Sequence, residues 1–594
     1  MHALKLPYLT TARLVRTLLA STALSVSAMS GAAIAQGSDA CTEGSMEYHC
    51  LRAEGYWAAQ WAIQTSAARA LSQVGARFAS SDDALGLLVA ERRRLADQRS
   101  AAESRLYEAL AITDASAREE AGTAARSTLE AVSGRLAEID TILSRDFPEY
   151  TQLTSPQPLS VEATQALLRG DEALILILAG DRSTFVFAID QEGIDWARVE
   201  ITAAELGEAV DLLRQGVDLN HGRGPWNAVA VQASSAASGL PVFDRQAAFR
   251  LYQQLLAPVE ARLEGKAHVY AVPSGALSSL PLALLVTEPP SGADNEVDAL
   301  RQTAWLGRRY AMTVLPSPAS LRSLTRFGAS RASAPFLGVG DPCIGARAGA
   351  GCERAPSSSG DRPQRGGGST RGVFNASASS DGVFMADVEA VRALSALPNT
   401  RPELIALAEA FGAHTGRDLL VGDGATEANL RSAAGLSDRQ VIAFATHGLI
   451  ADELPGLTEP ALVLTPPAEA REGDDGLLTA SEIARDLTLD ADWVILSACN
   501  TAAPGGAGAE SLSGLASAFF YAGARALLVS HWVVDDAAAR RITTGTLSAM
   551  NANPSAGRAE ALRQSMMSMM DDPQFAHPAM WAPFVLVGQN RPAE

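Results

Sequence analysis

The sequence predicts an α/β protein with a largely parallel sheet in its C-terminal half, preceded by an α-helical N-terminal region. Three observations carry this. From about residue 160 short apolar runs alternate with amphipathic helical ones, the pattern of strands covered by helices. Between about 50 and 147, Ala, Glu, Arg and Leu dominate. There Leu129, Val132, Leu136, Ile139 and Leu143 recur at three- and four-residue steps, the seam of a coiled or bundled helix. Two apolar runs in the second half stop abruptly at reactive side chains, His447 and Cys499. In open parallel sheets such strand ends are where sites form.

The chain has 594 residues, long enough by the usual length prior for about three or four domains. Its 47% hydrophobic and 19% charged composition suits a soluble globular protein with ample core. The formal charge of -19, with no basic stripe interleaved with aromatics, argues against nucleic-acid binding.

Residues 1–35 read as a secretory signal peptide. Lys5, Arg13 and Arg16 precede "TLLASTALSVSAMSGA", and Ala33-Ile34-Ala35 gives an A-x-A cleavage site. A retained signal anchor is the competing reading, weakened by the small residues that thin the apolar stretch. No later segment has the ~18 unbroken apolar residues of a span, so export to a periplasm or the exterior is expected, with no membrane span after removal of the leader.

Five cysteines are distributed in keeping with export. Cys41 with Cys50, and Cys343 with Cys352, form two local couples that would close small loops in an oxidising compartment. Cys499 is left over. A buried, inert thiol is the ordinary reading of a lone cysteine at a strand end, and an unpaired thiol in a secreted chain argues for a use.

Along the chain, "DFPEY" ends the helical region at Pro148, and no 34-residue helical repeat is evident in it. A structural bundle or hairpin is expected for 36–155, with an exposed face available to a protein partner. A small α/β region follows over 156–244. In it "EALILILAG" and "STFVFAID" pair across an Asp181-Arg182 turn, and "AAELGEAVDLLRQG" is an amphipathic helix. Next come the helix "RQAAFRLYQQLLAPVEARL" and the strand "HVYAVP". Residues 345–382, rich in Gly, Ser, Pro and Arg, read as a mobile loop inside the globular region of 245–590.

"QVIAFATHG" and "DWVILSACNTA" share one design: an apolar strand, then a reactive side chain, then a turn. About 50 residues separate His447 from Cys499, room for a crossover in which "LLTASEIARDL" is the helix. If the strands are neighbours, the imidazole can take the proton of a thiol that is otherwise mostly protonated near neutral pH. Gly448 would let backbone N–H groups approach a substrate carbonyl, and an amide near Cys499 would complete an oxyanion hole. A second pair, His221-Gly222, follows no buried strand and is set aside. Neither a Gly-x-Ser-x-Gly elbow nor a Gly-x-x-x-x-Gly-Lys loop is present, and eight scattered histidines make a zinc site unlike this chain; no cofactor is expected.

"FATHG", "GLLTASEI", "VILSACNTA", "SLSGLASAFFYAGARALLVSHWVVDD" and "HPAMWAPFVLVG", in that order, resemble the CHAT domain, of the same clan as caspases, separases and gingipains. Weaker matches such as "VYAVPSGALSSLPLALL" and "LGVGDP" extend the resemblance over about 245–588. It implies a caspase-like α/β/α sheet and a cysteine endopeptidase acting on protein or peptide, with Cys499 as nucleophile and His447 as general acid/base. The family also contains silent scaffolds, so a partner-binding envelope protein is the alternative it implies. Where the family usually reads Ser-Leu-Trp, this chain has Ser530-His531-Trp532. His531 is therefore a candidate pocket wall or pH-sensitive contact, weighed against an outward-facing loop histidine. Asp535 and Asp536 are candidate acids for a basic residue before the cut, weighed against capping the next helix. Asp452, Glu453 and Glu459 are further candidates. Preference for arginine would make Arg347, Arg354, Arg362, Arg365 and Arg371 of the mobile loop sites of self-cleavage.

Overall fold

The computed structural model describes residues 48–63, 115–146, 158–218, 240–326, 330–345, 386–397, 400–433, 435–449, 459–471, 473–497, 514–532 and 534–591, with isolated residues between 88 and 105 and at 454 and 457. The expected leader, most of the expected mobile loop and its arginines lie outside the described residues.

In the N-terminal region the described residues include the helices α1 (Tyr48–Ala62) and α2 (Ala115–Asp146). Val132, Leu136 and Ile139 of the sequence seam are buried. Tyr56 of α1 tilts onto Phe187 with ring centroids 6.0 Å apart, and Arg52 donates to the Ile194 carbonyl, so α1 docks on the sheet.

Fourteen strands follow among the described residues. The first three are β1 (Glu172–Ala179), β2 (Thr184–Asp190) and β3 (Gly193–Val199). After α3 (Ala203–Gln215) and α4 (Arg245–Leu255) come β4 (His268–Pro273), β5 (Ala311–Val314) and β6 (Ala334–Gly340). Helix α5 (Thr400–Ala410) leads to β7 (Leu419–Val421), and α6 (Glu427–Ser432) to β8 (Arg439–Ala445). Next are β9 (Gly448–Leu449), β10 (Ala461–Val463), β11 (Leu477–Thr479), α7 (Ala480–Asp486) and β12 (Trp493–Ser497). The chain closes with α8 (Gly514–Ala522), β13 (Ala526–Ser530), α9 (Asp536–Ala552), α10 (Arg558–Met570) and β14 (Phe584–Gly588).

Eleven strands form one sheet in the order β3-β2-β1-β4-β5-β14-β13-β12-β8-β6-β7. The expected small α/β region joins this sheet directly, because β1 pairs parallel with β4 from Glu172↔His268 to Ile177↔Pro273. The predicted β1–β2 hairpin is antiparallel, and a Thr202/Glu205 capping box starts α3. On the far side β13, β12, β8, β6 and β7 are mutually parallel, and the antiparallel β13–β14 pair joins the two halves.

Central strands are apolar on both faces because both are covered by helices. Along β8, Val441, Ala443 and Ala445 enter one core cluster and Ile442 and Phe444 the other. Trp493 and Ile495 of β12 divide from Val494 and Leu496 in the same way. Each large aliphatic side chain so buried stabilises the fold by about 1.5–3 kcal/mol, which fixes the register against slippage. Glycine at 340 is required for close approach: a Cβ there would collide with the Ala445 carbonyl.

Candidate active site

Strands β8 and β12 are neighbours and parallel, paired from Trp493↔Val441 to Ser497↔Ala445. In the sequence His447 stands two residues beyond the last pair on one side and Cys499 two residues beyond it on the other. The crossover between them contains α7, begun by a Thr479/Glu482 capping box, as the sequence predicts. Cys499 itself lies outside the described residues.

His447 is held by a second, three-stranded sheet, β11-β10-β9. Thr446 donates its hydroxyl to the Val463 carbonyl, and the Val463 N–H donates to the His447 carbonyl at 2.9 Å. One residue of β10 thus pins the backbone on both sides of the imidazole. The ring Nε2 lies 2.7 Å from the Ser395 carbonyl oxygen. A carbonyl only accepts, so Nε2 carries the proton and Nδ1 of the neutral ring presents its lone pair. Burial lowers the His447 pKa below the usual histidine value, and the Ser395 bond only partly opposes this. The half-buried ring is therefore a neutral base at physiological pH.

Gly448 opens β9, is buried, and pairs with Leu462 of β10. At the end of β6, next to the end of β8, Asp341 adopts a left-handed φ of 53° and is almost fully buried. The Arg401 Nε–H donates to its carboxylate at 2.6 Å. From the same helix, α5, Glu403 reaches across to β12: the Ser497 hydroxyl donates to its Oε2 at 3.2 Å.

His531 follows β13 and is buried, not outward-facing. Its N–H donates to Pro583 O at 2.9 Å and its carbonyl accepts from Arg214 at 3.1 Å. The ring lines a small cavity with Leu282, Met566 and Phe584, and its Nδ1 has no hydrogen-bond partner. Burial first, and Arg214 second, push its pKa down to about 3, so it carries no charge change near neutrality, contrary to the pH-sensitive reading. Asp535 caps α9, accepting from Ala537 N at 3.0 Å and Ala538 N at 3.1 Å. The carboxylate faces its own helix, which is the capping alternative. Asp536 is the first residue of α9, and its side chain lies outside the described residues. Glu459 holds the start of α7 through Ser481 N and Oγ. Asp452 and Glu453 lie outside the described residues.

Of the paired cysteines, Cys343 is disulfide-bonded and buried, with its N–H on Thr465 Oγ1 at 3.0 Å. Cys41 and Cys352, and the side chain of Cys50 in α1, lie outside the described residues. Among the described residues no group of His, Cys, Asp or Glu could hold a metal ion, and no helix is long and apolar enough to cross a membrane.

Sequence reasoning missed Ser395 and Glu403. A backbone carbonyl has no sequence signature. Glu403 had a faint one, an acid four residues before the buried Leu407 on the apolar side of its helix.

The CHAT domain family matches residues 245–589, more than half of the chain. Tetratricopeptide repeat protein 28 of Mus musculus is 29% identical over 232 residues, 33% of this chain and 9% of that protein. Among solved structures, the Saccharomyces cerevisiae separase-securin complex aligns with 94% of this chain and 41% of that one, at 10% identity and a TM-score of 0.38. The Arg specific cysteine proteinase gingipain R aligns with 65% of this chain and 74% of that one, at 10% identity and a TM-score of 0.31. The family match over residues 245–589 decides the assignment: the chain belongs to the CHAT domain family.

Proposed function

We propose that the protein is an exported cysteine endopeptidase that hydrolyses peptide bonds with a Cys499–His447 dyad. One observation carries the reading: the register of β8 and β12 ends at Ala445↔Ser497, two residues short of each reactive side chain, while Ser395 leaves His447 Nδ1 as the basic nitrogen. In the proposed cycle Nδ1 takes the Cys499 thiol proton and the thiolate attacks the peptide carbonyl carbon. The oxyanion is stabilised by backbone amides at Gly448 and beside Cys499. As the C–N bond breaks, the imidazolium returns the proton to the leaving amine and leaves a thioester. Water, deprotonated by the same nitrogen, then releases the acid and regenerates the thiol. A partner-binding role for the helical N-terminal region is compatible with this chemistry and independent of it.

The test is cleavage of a random peptide library by wild-type protein against Cys499→Ala, with alkylation of Cys499 by iodoacetamide followed in parallel. Cleavage lost in the variant supports the peptidase. An unreactive Cys499 together with no cleavage favours the silent scaffold.

A further inference from the structure

The Ser395 carbonyl fixes which nitrogen of His447 is basic, so whatever holds Ser395 sets the base. Ser395 is exposed and stands three residues past the short helix Val388–Arg392, in a segment described from 386 to 397. The helix is capped locally, Asp387 accepting from Glu389 N at 2.9 Å and Ala390 N at 3.3 Å. Its docking is tertiary. Ala386 and Val391 share a small core cluster with Leu449, Ala461, Val463 and Leu477 of β9, β10 and β11, and the Ala386 N–H donates to Asp475 Oδ2 at 2.7 Å.

Asp475 is buried, two residues before the start of β11. Its other oxygen, Oδ1, accepts from the Leu477 N–H at 2.9 Å. Leu477 pairs with Val463, the residue that bonds the backbone on both sides of the His447 imidazole. Glu427 Oε1 accepts from both Asp475 N and Gly476 N at 2.9 Å, which holds the turn that presents the carboxylate. One side chain thus ties the segment that carries Ser395 to the sheet that holds His447. Burial raises the Asp475 pKa, with Asp474 adding to this, while the Ala386 and Leu477 amides and Arg431 oppose it.

We propose that Asp475 is a positioning residue for the base: by accepting from Ala386 and Leu477 with its two oxygens, it locks the 386–397 segment against the β9–β11 sheet and keeps the Ser395 carbonyl on His447 Nε2. The catalytic consequence rests on the peptidase reading, and the effect on the ring is measured apart from it. A carboxylate is needed because both partners are donors. Asparagine, at the same volume, offers one acceptor and turns an NH2 group on the other amide. The segment then loses its tie, water reaches the ring, and the two ring nitrogens share the proton.

The experiment follows the His447 ring by NMR of protein isotopically labelled in histidine nitrogen, its signals identified by their loss in His447→Ala. In wild type the ring should be a single Nε2–H tautomer that titrates below about 6.5. In Asp475→Asn the two nitrogen shifts should converge toward a tautomer average. The pKa should move up toward 6.5, because burial is the larger influence on this ring and is relieved. The sign is diagnostic, since loss of a negative charge acting directly on the ring would lower its pKa. Asp535→Ala, which loses a helix cap, is the destabilised control and should leave the ring as in wild type. With peptide substrate, kcat of Asp475→Asn should fall on the order of 10²-fold with KM little changed. A wild-type tautomer and pKa in Asp475→Asn, or a lowered pKa, overturns the role of Asp475 and leaves the peptidase standing. Wild-type protein gives a second test that needs no variant. In rising urea, amide exchange should release 386–397 together with 475–479, since one carboxylate holds both, and a segment that exchanges freely while 475–479 stays protected overturns the proposal. Converged shifts in Asp475→Asn with no peptide of the random library cleaved by wild type support the hold on the ring and overturn the peptidase reading alone.

Discussion

Ala445 and Ser497 are the last partners in the parallel ladder of β8 and β12, and the two reactive residues each lie two positions further on. The register ends β8 two positions before His447 and β12 two positions before Cys499 in the sequence, at one edge of the sheet. The first prediction follows from that geometry. Replacing His447 by Ala removes the base, and alkylation of Cys499 at pH 7 should slow by on the order of 10²-fold, the lower end of what a positioned general base contributes. An unchanged rate would show that the imidazole does not act on the thiol.

The pH dependence of that alkylation has a definite sign. His447 is pushed below its ordinary value because burial disfavours the imidazolium. The neutral, proton-accepting ring therefore persists to lower pH than in an exposed histidine, whose pKa is about 6.5. A rate profile measured in the wild type should show its acidic limb below that value. A limb above it would mean that the ring is stabilised as a cation.

Thr446 tests whether the small sheet positions the base. It is buried, and its hydroxyl satisfies the Val463 carbonyl that lies beside the imidazole-bearing residue. In Thr446→Val that carbonyl loses its donor at nearly constant volume, so stability should fall by about 1–2 kcal/mol. The alkylation rate should also fall severalfold, with its acidic limb shifted as the ring leaves Ser395. Thr446→Ser should restore both. A stability loss with unaltered kinetics would reduce Thr446 to a structural role.

The strands, the crossover and the parallel pairing of β8 with β12 were legible because each leaves a periodic or punctuated trace. Runs apolar on both faces mark central strands, and Thr479 with Glu482 marks the start of α7. What the residues could not show is what contacts between distant segments decide. Ser395 acts through its carbonyl, 52 positions from His447, and any residue there would present the same oxygen. His531 is buried because Pro583 and Arg214, remote in sequence, bind its backbone. That β1–β3 extend the sheet follows from the long-range β1–β4 pairing, for which alternating strands and helices gave direction but no neighbour.

Asp535 separates a cap from a pocket. Its Oδ1 accepts from two amides in the first turn of α9, so Asp535→Ala should cost about 1 kcal/mol, read as a lower urea midpoint. Per folded molecule, its preference among arginine, lysine and citrulline peptides should match wild type. A selective loss of arginine cleavage would return Asp535 to the substrate pocket.

Buried histidines should also make the fold acid-sensitive. His531 is held down to about 3 and His577 to about 4, each mainly by burial, against about 6.5 for the unfolded chain. The depressed folded-state values mean that their contribution is complete above 6.5 and is lost as pH falls toward those values. In that window the unfolded chain binds the extra protons, and each ring lowers stability by about 1.4 kcal/mol per pH unit. Glu427 works in the opposite sense. Burial, then the nearby Glu482, raises its carboxyl to about 7, so its contribution is complete below the ordinary carboxylate range and lost as pH rises toward 7. Between pH 7 and 5 two rings therefore outweigh one carboxyl, and wild-type stability should fall, on the order of 2 kcal/mol. His531→Leu, which removes a titrating ring whose Nδ1 is unpartnered, should flatten the decline, and Glu427→Gln should steepen it. Urea midpoints at the two pH values measure all three slopes, and a His531→Leu slope equal to wild type would mean that this ring is already open to protons in the folded protein.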